Sequence, residues 1–379
     1  MPYALATVLL ACCVWFALRW LPAGADGHGP LPYLLAVVRF LWVPLLACIA
    51  ISAVVRQWPI FLWGCGLLLV FAGVEHGCGH PATRGSAAPG RRGALCPLRP
   101  DEGRIPGKRT SADRHADDAG SFTAMTLNCR YGQADPAEIV DAVRTGNVSV
   151  LALQELTDDL AGSLQDAGLS DLLPHRRLGV SHMTDNGGFN GIWSRFPATA
   201  GSRDSLDISA ADVPTLTFEL PCGRSRDRSR VASSGVRSIT VVCAHTKSPM
   251  RGCRDWSTGI RALGGFVRGS DRCHATMIMG DLNSHRDHPS FRSLLDSGLH
   301  DAAELAPQRP RGTFPARIAW PRIPLDHILV SAGLECRRMR VMTISGTDHR
   351  AVIADMAPQP YNGIEDAAPT DMHGGPACR

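Results

Sequence analysis

Residues 275–283 read Ala-Thr-Met-Ile-Met-Gly-Asp-Leu-Asn, an apolar run followed at once by two polar side chains. The run from Ala275 to Met279 predicts a short buried strand, because apolar residues fill almost all of it. Asp281 and Asn283 then lie where that strand runs out. A single carboxylate at such a place is most often a loop cap. This stretch alone therefore predicts a strand end and no particular chemistry.

The same pattern recurs along the chain. Further strands are predicted over 124–129, 148–153, 237–244, 325–330 and 351–354. Asn128 lies near the end of the first of these, Glu155 follows the second, and Asp348 with His349 follows another run. Polar residues at the ends of apolar strands gather at one rim of a sheet. We therefore expect these side chains to lie together.

Helical signals alternate with the strands. Asp135, Pro136 and Glu138 fit the N-cap, first-turn proline and N3 acid of a helix. An apolar stripe at helical spacing over 256–267 predicts a helix that covers one sheet face. Pro289 to Ser297 predicts another, with proline at its start. This alternation indicates an α/β domain.

The chemistry of the rim indicates a hard metal ion. Asn, Glu and Asp oxygens suit Mg²⁺ or Mn²⁺, which bind few protein carboxylates and keep positions open for water and phosphate. Phosphoester hydrolysis needs such a cation, a base that activates water, and donors that hold the phosphate oxygens. The predicted rim offers all three kinds of group. We therefore expect Mg²⁺ (or Mn²⁺) as cofactor and a phosphoester as substrate.

A series of short motifs over about Thr123 to Met356 resembles the ordered motif set of the endonuclease/exonuclease/phosphatase superfamily. The motifs are Thr126-Leu-Asn-Cys, Leu153-Gln-Glu, Asn190-Gly-Ile-Trp-Ser-Arg, Ala244-His-Thr, Gly280-Asp-Leu-Asn, Leu325-Asp-His-Ile-Leu and Gly346-Thr-Asp-His-Arg. The resemblance implies a four-layer α/β sandwich of the DNase I-like type, with two sheets face to face and helices outside. It also implies a phosphodiesterase, nuclease-like or phospholipase-like.

The resemblance implies roles for individual residues. Glu155 is expected to be the main metal-binding carboxylate, with Asn128 and Asp348 supporting the metal. Asp281 is expected to orient or deprotonate the attacking water, and Asn283 to help hold the phosphate.

Two histidines complete the implied site. His349 is expected to contact the scissile phosphate, with Asp348 also orienting its imidazole. His245 resembles a second active-site histidine, a phosphate contact and an acid for the leaving oxygen, which Asp326 would support. A lone histidine is more often a satisfied core or surface residue, but the place of His245 directly after a strand favours a function.

Two alternatives accompany these roles. His285 and His288 could mark a second metal, but the simpler interpretation is that Asp287 or His288 caps the helix that begins at Pro289. A non-catalytic binding module on the same fold would lack a ligand or a histidine. No expected ligand or histidine is missing from the sequence, which favours an enzyme.

The first 75 residues are predicted to be a membrane region. Pro2 to Leu18, Leu31 to Val55 and Trp58 to Val74 are apolar and close to the span of roughly 17 to 25 residues that a bilayer requires. Arg39 interrupts the second stretch, where it can snorkel towards one end. The alternative for the first stretch is a signal peptide, although no basic residue precedes it.

The remaining boundaries follow from composition. Residues 76–121, rich in Gly, Pro and Arg, predict a flexible linker, 122–358 the catalytic domain, and 359–379 a disordered tail. Basic residues early in the linker favour a cytoplasmic domain. The thirteen cysteines favour an oxidising compartment with disulfides, unless they are free thiols. We expect a multi-pass protein of the cell membrane with its catalytic domain outside the cytoplasm, the cytoplasmic side being the alternative.

The net charge of +4 is too small to indicate nucleic acid by itself. An anchor raises the effective concentration of lipid headgroups, which favours a lipid or other cell-envelope phosphoester. Nucleic acid is the alternative substrate. The N-terminal helices imply membrane lipid as a partner, and no obligate protein partner is inferred.

Overall fold

The computed structural model describes residues 2–77, 120–182, 187–220, 236–267, 273–308 and 312–359. Most of the predicted linker, 76–121, and nearly all of the predicted tail, 359–379, lie outside the described residues. Both assignments therefore stay predictions.

Four apolar α-helices open the chain. They are α1 (Pro2–Ala17), α2 (Leu31–Val37), α3 (Trp42–Val54) and α4 (Trp58–Gly77). The segments 2–20 and 58–75 are long and apolar enough to cross a membrane. The predicted second span, 31–55, is not one straight helix, because Leu31–Phe40 and Trp42–Val54 meet at a bend of 58°. The described N-terminal region thus supplies two membrane-spanning candidates, or three if the bent pair is one span.

Two six-stranded sheets follow. The first contains β1 (Phe122–Asn128), β2 (Val150–Leu156), β3 (His175–Leu178), β4 (Phe189–Ser194), β11 (Leu334–Thr343) and β12 (Arg350–Pro358). The second contains β5 (Ala198–Ser202), β6 (Thr215–Glu219), β7 (Ser238–Cys243), β8 (His274–Asp281), β9 (Leu299–Asp301) and β10 (Asp326–Ser331). Their strand orders are β11-β12-β1-β2-β4-β3 and β5-β6-β7-β8-β10-β9. β1 pairs in parallel with β2, and β7 with β8.

Alternation of side chains along the central strands makes the two sheets pack face to face. In β2, Val150 and Ala152 enter the core between the sheets, while Leu151 and Leu153 enter the core under the helices. In β8, Met277 and Met279 likewise face the opposing sheet. Such strands are apolar on both faces because both faces are covered.

Among the described residues, six α-helices cover the outer faces or connect strands. They are α5 (Pro136–Thr145), α6 (Asp158–Asp166), α7 (Leu169–Leu172), α8 (Pro249–Ala262), α9 (Pro289–Leu295) and α10 (Ala302–Leu305). α5 begins as the sequence predicts, since the Asp135 carboxylate accepts from Ala137 N at 2.8 Å and Glu138 N at 3.1 Å. α8 buries Trp256 and Ile260 against the second sheet. The four-layer α/β sandwich is confirmed.

The segment between α1 and α3 packs against the catalytic domain beside α9. The buried Asp26 carboxylate accepts from Ser290 N at 2.9 Å and from Ser290 Oγ at 2.5 Å. Arg19 makes ion pairs with Asp287 and, at 2.8 Å, with Glu75. His288 occupies the predicted N-cap position of α9, but its side chain makes no capping hydrogen bond, and the Asp26 carboxylate accepts from Ser290 N instead.

Candidate active site

Strand direction brings the predicted polar side chains to one rim of the sandwich. β1 and β2 are parallel and end at this rim, as do the parallel strands β7 and β8. β10 runs antiparallel to β8 and β12 antiparallel to β1, so both begin there. The residues gathered at the rim are Asn128, Glu155, His245, Asp281, Asp326 and His349.

A buried charge row joins three of these residues. His349 Nδ1 donates to Asp326 Oδ2 at 2.9 Å, and His349 Nε2 lies 3.7 Å from Asp281 Oδ2. A potential ligand atom of each lies within 4.8 Å of the others. All three side chains are buried, so their charges interact with little screening by water. Asp326, and not Asp348, thus orients the imidazole of His349.

Asn128 connects the two carboxylates at the ends of β2 and β8. Its Nδ2 donates to Glu155 Oε1 and to Asp281 Oδ2, each at 3.0 Å. Its Oδ1 accepts from Arg130 N at 2.8 Å, which assigns the amide orientation. Asn128 therefore positions the carboxylates in this arrangement, and ligation of a cation through Oδ1 requires the amide to turn over.

Glu155 and Asn283 adopt left-handed backbone conformations, with φ of 53° and 48°. This region is uncommon for residues with a side chain and concentrates at functional sites. Glu155 Oε2 is held by Tyr131 N at 2.9 Å, so both carboxylate oxygens have a donor. The conformation aims the Glu155 carboxylate across the rim towards Asp281.

His245 lies on the other side of the two carboxylates. Its Nε2 is 3.7 Å from Glu155 Oε1 and 3.7 Å from Asp281 Oδ2. Its buried Nδ1 has no hydrogen-bond partner among the described residues. The expectation that Asp326 supports His245 is not met, because the carboxylate of Asp326 bonds to His349.

Asn283 and Asp348 stand at the margin of the group. Asn283 N donates to Asp281 Oδ1 at 2.9 Å, and its Nδ2 donates to Thr246 O at 3.1 Å. Asp348 is partly exposed and lies 3.7 Å from the Arg130 guanidinium. Neither side chain belongs to the buried Asp281, Asp326 and His349 cluster.

Burial and neighbouring charge shift the pKa values of the site in opposite directions. Burial raises the pKa of Glu155 and of Asp281. Burial also opposes protonation of His349, but the Asp326 and Asp281 carboxylates outweigh it and raise the pKa of His349 to about 10. Burial lowers the pKa of His245. At neutral pH the site therefore contains a protonated His349 and a neutral His245.

The charge balance of the site fits a divalent cation. Asp281 and Asp326 are buried carboxylates and Glu155 is a partly buried one, and beside them His349 carries a compensating positive charge. Hard cations take carboxylate oxygens of this kind. Glu155 and Asp281, which share the Asn128 amide, are the residues that fit such a cation best.

His285 and His288 contact the N-terminal segment, which favours a structural role over a second metal site. His288 Nε2 lies 3.0 Å from Pro32 O, and His285 Nε2 lies 3.0 Å from Ala36 O. Each ring therefore uses Nε2 as a donor to a backbone carbonyl of α2.

Sequence reasoning missed several residues that support the site. Thr313 Oγ1 accepts from Asp326 N at 3.2 Å, and the Phe314 ring lies 4.9 Å from the His349 ring. Arg251 donates to the Tyr131 hydroxyl at 3.1 Å, at the mouth of the site. The signal for Arg251 was its place shortly after His245, but no spacing rule connects it to Tyr131.

The chain was compared with protein families, curated proteins and solved structures. The family model described as "Endonuclease/Exonuclease/phosphatase family" matches residues 125–349, more than half of the chain. No curated protein matched. Humanized D. rerio TDP2 is 15% identical with a TM-score of 0.50, over 63% of this chain and 99% of that one.

Two further solved structures are similar. A functionally unknown conserved protein from Enterococcus faecalis V583 is 14% identical with a TM-score of 0.49, over 63% of this chain and 100% of that one. Sphingomyelinase C from Streptomyces griseocarneus is 21% identical with a TM-score of 0.44, over 62% and 99%. The family match covers every residue of the rim, and this chain belongs to the endonuclease/exonuclease/phosphatase family of phosphoester hydrolases.

Proposed function

We propose that the chain is a membrane-associated phosphodiesterase that uses Mg²⁺ or Mn²⁺ and water. The observation that supports this most strongly is the buried row in which His349 lies 2.9 Å from Asp326 and 3.7 Å from Asp281. Burying an ion pair costs desolvation energy that the attraction within the pair need not repay, so this row is weak evidence for a purely stabilising role. The protonated imidazole offers a donor at Nε2 for a phosphate oxygen.

Each residue of the site has a separate proposed role in hydrolysis. Glu155 and Asp281 would hold the cation, which would neutralise phosphate charge and polarise the phosphoryl group. Asp281, whose Oδ2 lies 3.7 Å from both His245 Nε2 and His349 Nε2, orients the attacking water and accepts its proton. His349 donates to a non-bridging oxygen, while a P–O bond to water forms and the ester P–O bond breaks.

His245 is proposed to hydrogen-bond the leaving oxygen. It lies beside both Glu155 and Asp281, and its burial keeps it neutral. Asn283 is proposed to hold the phosphate and Asp348 to support the cation from the mouth, where it now faces Arg130.

The direct test is hydrolysis of bis-p-nitrophenyl phosphate by the full chain in detergent, with Mg²⁺, Mn²⁺ or EDTA. Asp281→Asn and His349→Gln should each lose metal-dependent turnover. Exposed Asp166→Asn and His300→Gln are matched controls that should retain it. Turnover that persists in EDTA, or in both site variants, would exclude this assignment.

The favoured substrate is a lipid or other membrane-borne phosphoester. The apolar helices pack directly on the catalytic domain, through Asp26 and Arg19. Two cations near the mouth are paired with carboxylates: Arg130 with Asp348, and Lys247 with Asp255 at 2.7 Å. A nuclease would instead need cations that track a phosphate backbone. Nucleic acid is the second candidate, and turnover on DNA that falls steeply with salt would favour it.

We propose a multi-pass location with the catalytic domain on the side opposite the N-terminus. Arg19 at the end of α1 and Glu75 near the end of α4 meet at the domain, so both helices lead towards it. All nine described cysteines are free, and the other four of the thirteen lie outside the described residues. Labelling of intact cells at Ser163→Cys, an exposed site, tests the extracytoplasmic side. Labelling only after lysis would place the domain in the cytoplasm.

A further inference from the structure

A cavity of about 560 Å³ lies between the N-terminal helices and the segment 312–324 of the catalytic domain. Its walls combine aromatic and cationic side chains: Arg39, Phe40, Trp42, Phe71, Trp320 and Arg322. A volume of this size accommodates a substantial part of an organic ligand. The cavity is separate from the rim of catalytic residues.

The aromatic wall resembles the belt that membrane proteins place at the lipid–water boundary. Trp320 contacts both Phe40 and Trp42, with ring centroids 5.7 and 6.1 Å away. Trp320 is 59% exposed and Trp42 is 38% exposed, and Ile318 beside them is 42% exposed. Since Trp42 begins α3, this apolar surface is continuous with the membrane helices. Indole rings are enriched at that depth of a bilayer.

The opposite wall carries positive charge. Among the described residues, Arg39 makes no ion pair or hydrogen bond. Arg322 donates only to backbone carbonyls, those of Pro315 at 3.3 Å and Ala316 at 3.1 Å. Glu75 also lines the cavity, but its carboxylate is paired with Arg19. The Arg39 charge also acts on the buried Asp287 carboxylate, without an ion-pair contact. The cavity therefore combines an apolar aromatic face with two guanidinium groups that make no close contact with a described carboxylate.

We propose that this cavity binds an anionic phospholipid. The phosphate lies between Arg39 and Arg322, and the acyl part lies along Phe40, Trp42 and Trp320. Guanidinium groups recognise phosphate through paired N–H donors. The bilayer reaches the cavity directly, because Trp42 is the first residue of α3.

The lipid site and the active site share a wall. Thr313, at the inner end of the segment 312–324, accepts from Leu325 N at 3.1 Å and from Asp326 N at 3.2 Å. Ala316 N donates to Asp348 O at 2.7 Å. Lipid that orders this segment also orders the backbone on which Asp326 and Asp348 depend. Resting here on the proposed function, we expect anionic lipid to raise turnover of a soluble phosphodiester.

Binding is measured first, because it needs no activity. Native mass spectrometry of the delipidated full chain in detergent is carried out with dioleoyl phosphatidylglycerol, dioleoyl phosphatidylcholine or glycerol 3-phosphate. The wild type should bind phosphatidylglycerol saturably, phosphatidylcholine weakly and glycerol 3-phosphate weakly. Loss of both arginines in Arg39→Gln/Arg322→Gln should weaken phosphatidylglycerol binding roughly 25-fold, from about fivefold for each arginine.

Arg56→Gln is the matched control, since Arg56 is exposed just beyond the other end of α3. Binding that is equal in the double variant and the wild type would overturn the proposal, as would equal binding of both lipids. If glycerol 3-phosphate binds as tightly as phosphatidylglycerol, the site recognises a phosphate group without acyl chains and the lipid assignment fails.

A second measurement does not depend on the folding of the double variant. Lipid brominated in its acyl chains should quench the tryptophan fluorescence of the wild type. The extent of quenching should be smaller in Trp320→Phe. Trp58→Phe, at the start of α4, should keep the part of the quenching that comes from Trp320. A Trp320→Phe variant that is quenched as strongly as the wild type contradicts the placement of the acyl part. Lipid binding that is intact in Asp281→Asn separates this site from the catalytic proposal.

Discussion

His349 donates from Nδ1 to the carboxylate of Asp326 over 2.9 Å, and both side chains are buried. The pair leaves His349 Nε2 directed towards Asp281 at 3.7 Å. Burial tends to raise the pKa of Asp326, but the charge and hydrogen bond of His349 outweigh it, and the pKa of Asp326 is lowered. Each partner thus keeps the other charged, and the charge state of His349, the proposed donor to phosphate, depends on Asp326.

Asp326→Asn should therefore reduce kcat by on the order of 10²- to 10⁴-fold, the usual range for a lost acid–base function. The pKa of His349, about 10 in the native site, falls when the carboxylate is removed. The imidazolium then deprotonates at lower pH, so the alkaline limb of the pH–rate profile shifts to lower pH. Profiles of kcat for wild type, Asp326→Asn and the exposed control Asp166→Asn check this. An unshifted limb with reduced kcat would assign Asp326 a purely structural role.

Much of this site could be predicted from the sequence, because an apolar run followed by a polar residue marks the end of a strand. Asn128, Glu155 and Asp281 each end or follow an apolar run, and the parallel strands bring them to one rim. Asn128 donates hydrogen bonds to both Glu155 and Asp281. The local pattern was sufficient to place these residues, because parallel strands end at the same rim of the sheet.

Pairing within the site could not be predicted, since it depends on side-chain directions across two sheets. Asp326 begins β10 of one sheet, and His349 precedes β12 of the other. The expected partner of Asp326 was His245, whereas its carboxylate bonds to His349. The contact between Asp26 and Ser290, 264 residues apart, has no sequence signal at all.

Substitution of Glu155, the proposed cation ligand, should reduce the stabilisation of the folded chain by Mg²⁺, which can be measured without an activity assay. Mg²⁺ at 100 times its Kd should stabilise the wild type by about 2.7 kcal/mol, because it binds the folded state alone. Glu155→Gln should lose most of this gain, since the amide lacks the charge that balances the cation. Thermal unfolding in detergent with Mg²⁺ or EDTA measures it, with the exposed Glu219→Gln as control. An equal gain in Glu155→Gln would remove Glu155 from the cation site.

Acid should destabilise the contact between α2 and the catalytic domain. Burial lowers the pKa of His288 to about 3, against 6.5 in an unfolded chain. Between those values the unfolded state holds more protons, so stability is full above pH 6.5 and falls as the pH drops. The slope from one group is at most about 1.4 kcal/mol per pH unit. The Tm of His288→Gln should fall less between pH 7 and pH 4.5 than that of the wild type or of His300→Gln.

Asp26→Ala tests whether the N-terminal segment is held on the catalytic domain by the Ser290 contact. The substitution removes two hydrogen bonds to a charged acceptor and leaves Ser290 N without its carboxylate, at a cost of about 2–4 kcal/mol. Because the two residues act through each other, Asp26→Ala/Ser290→Ala should cost less than the sum of the single changes. Unfolding of the full chain in detergent measures this, with exposed Asp207→Ala as control. Additive effects would mean that the two side chains stabilise the protein independently, and the domain would then be held to the membrane helices by Arg19 and its partners instead.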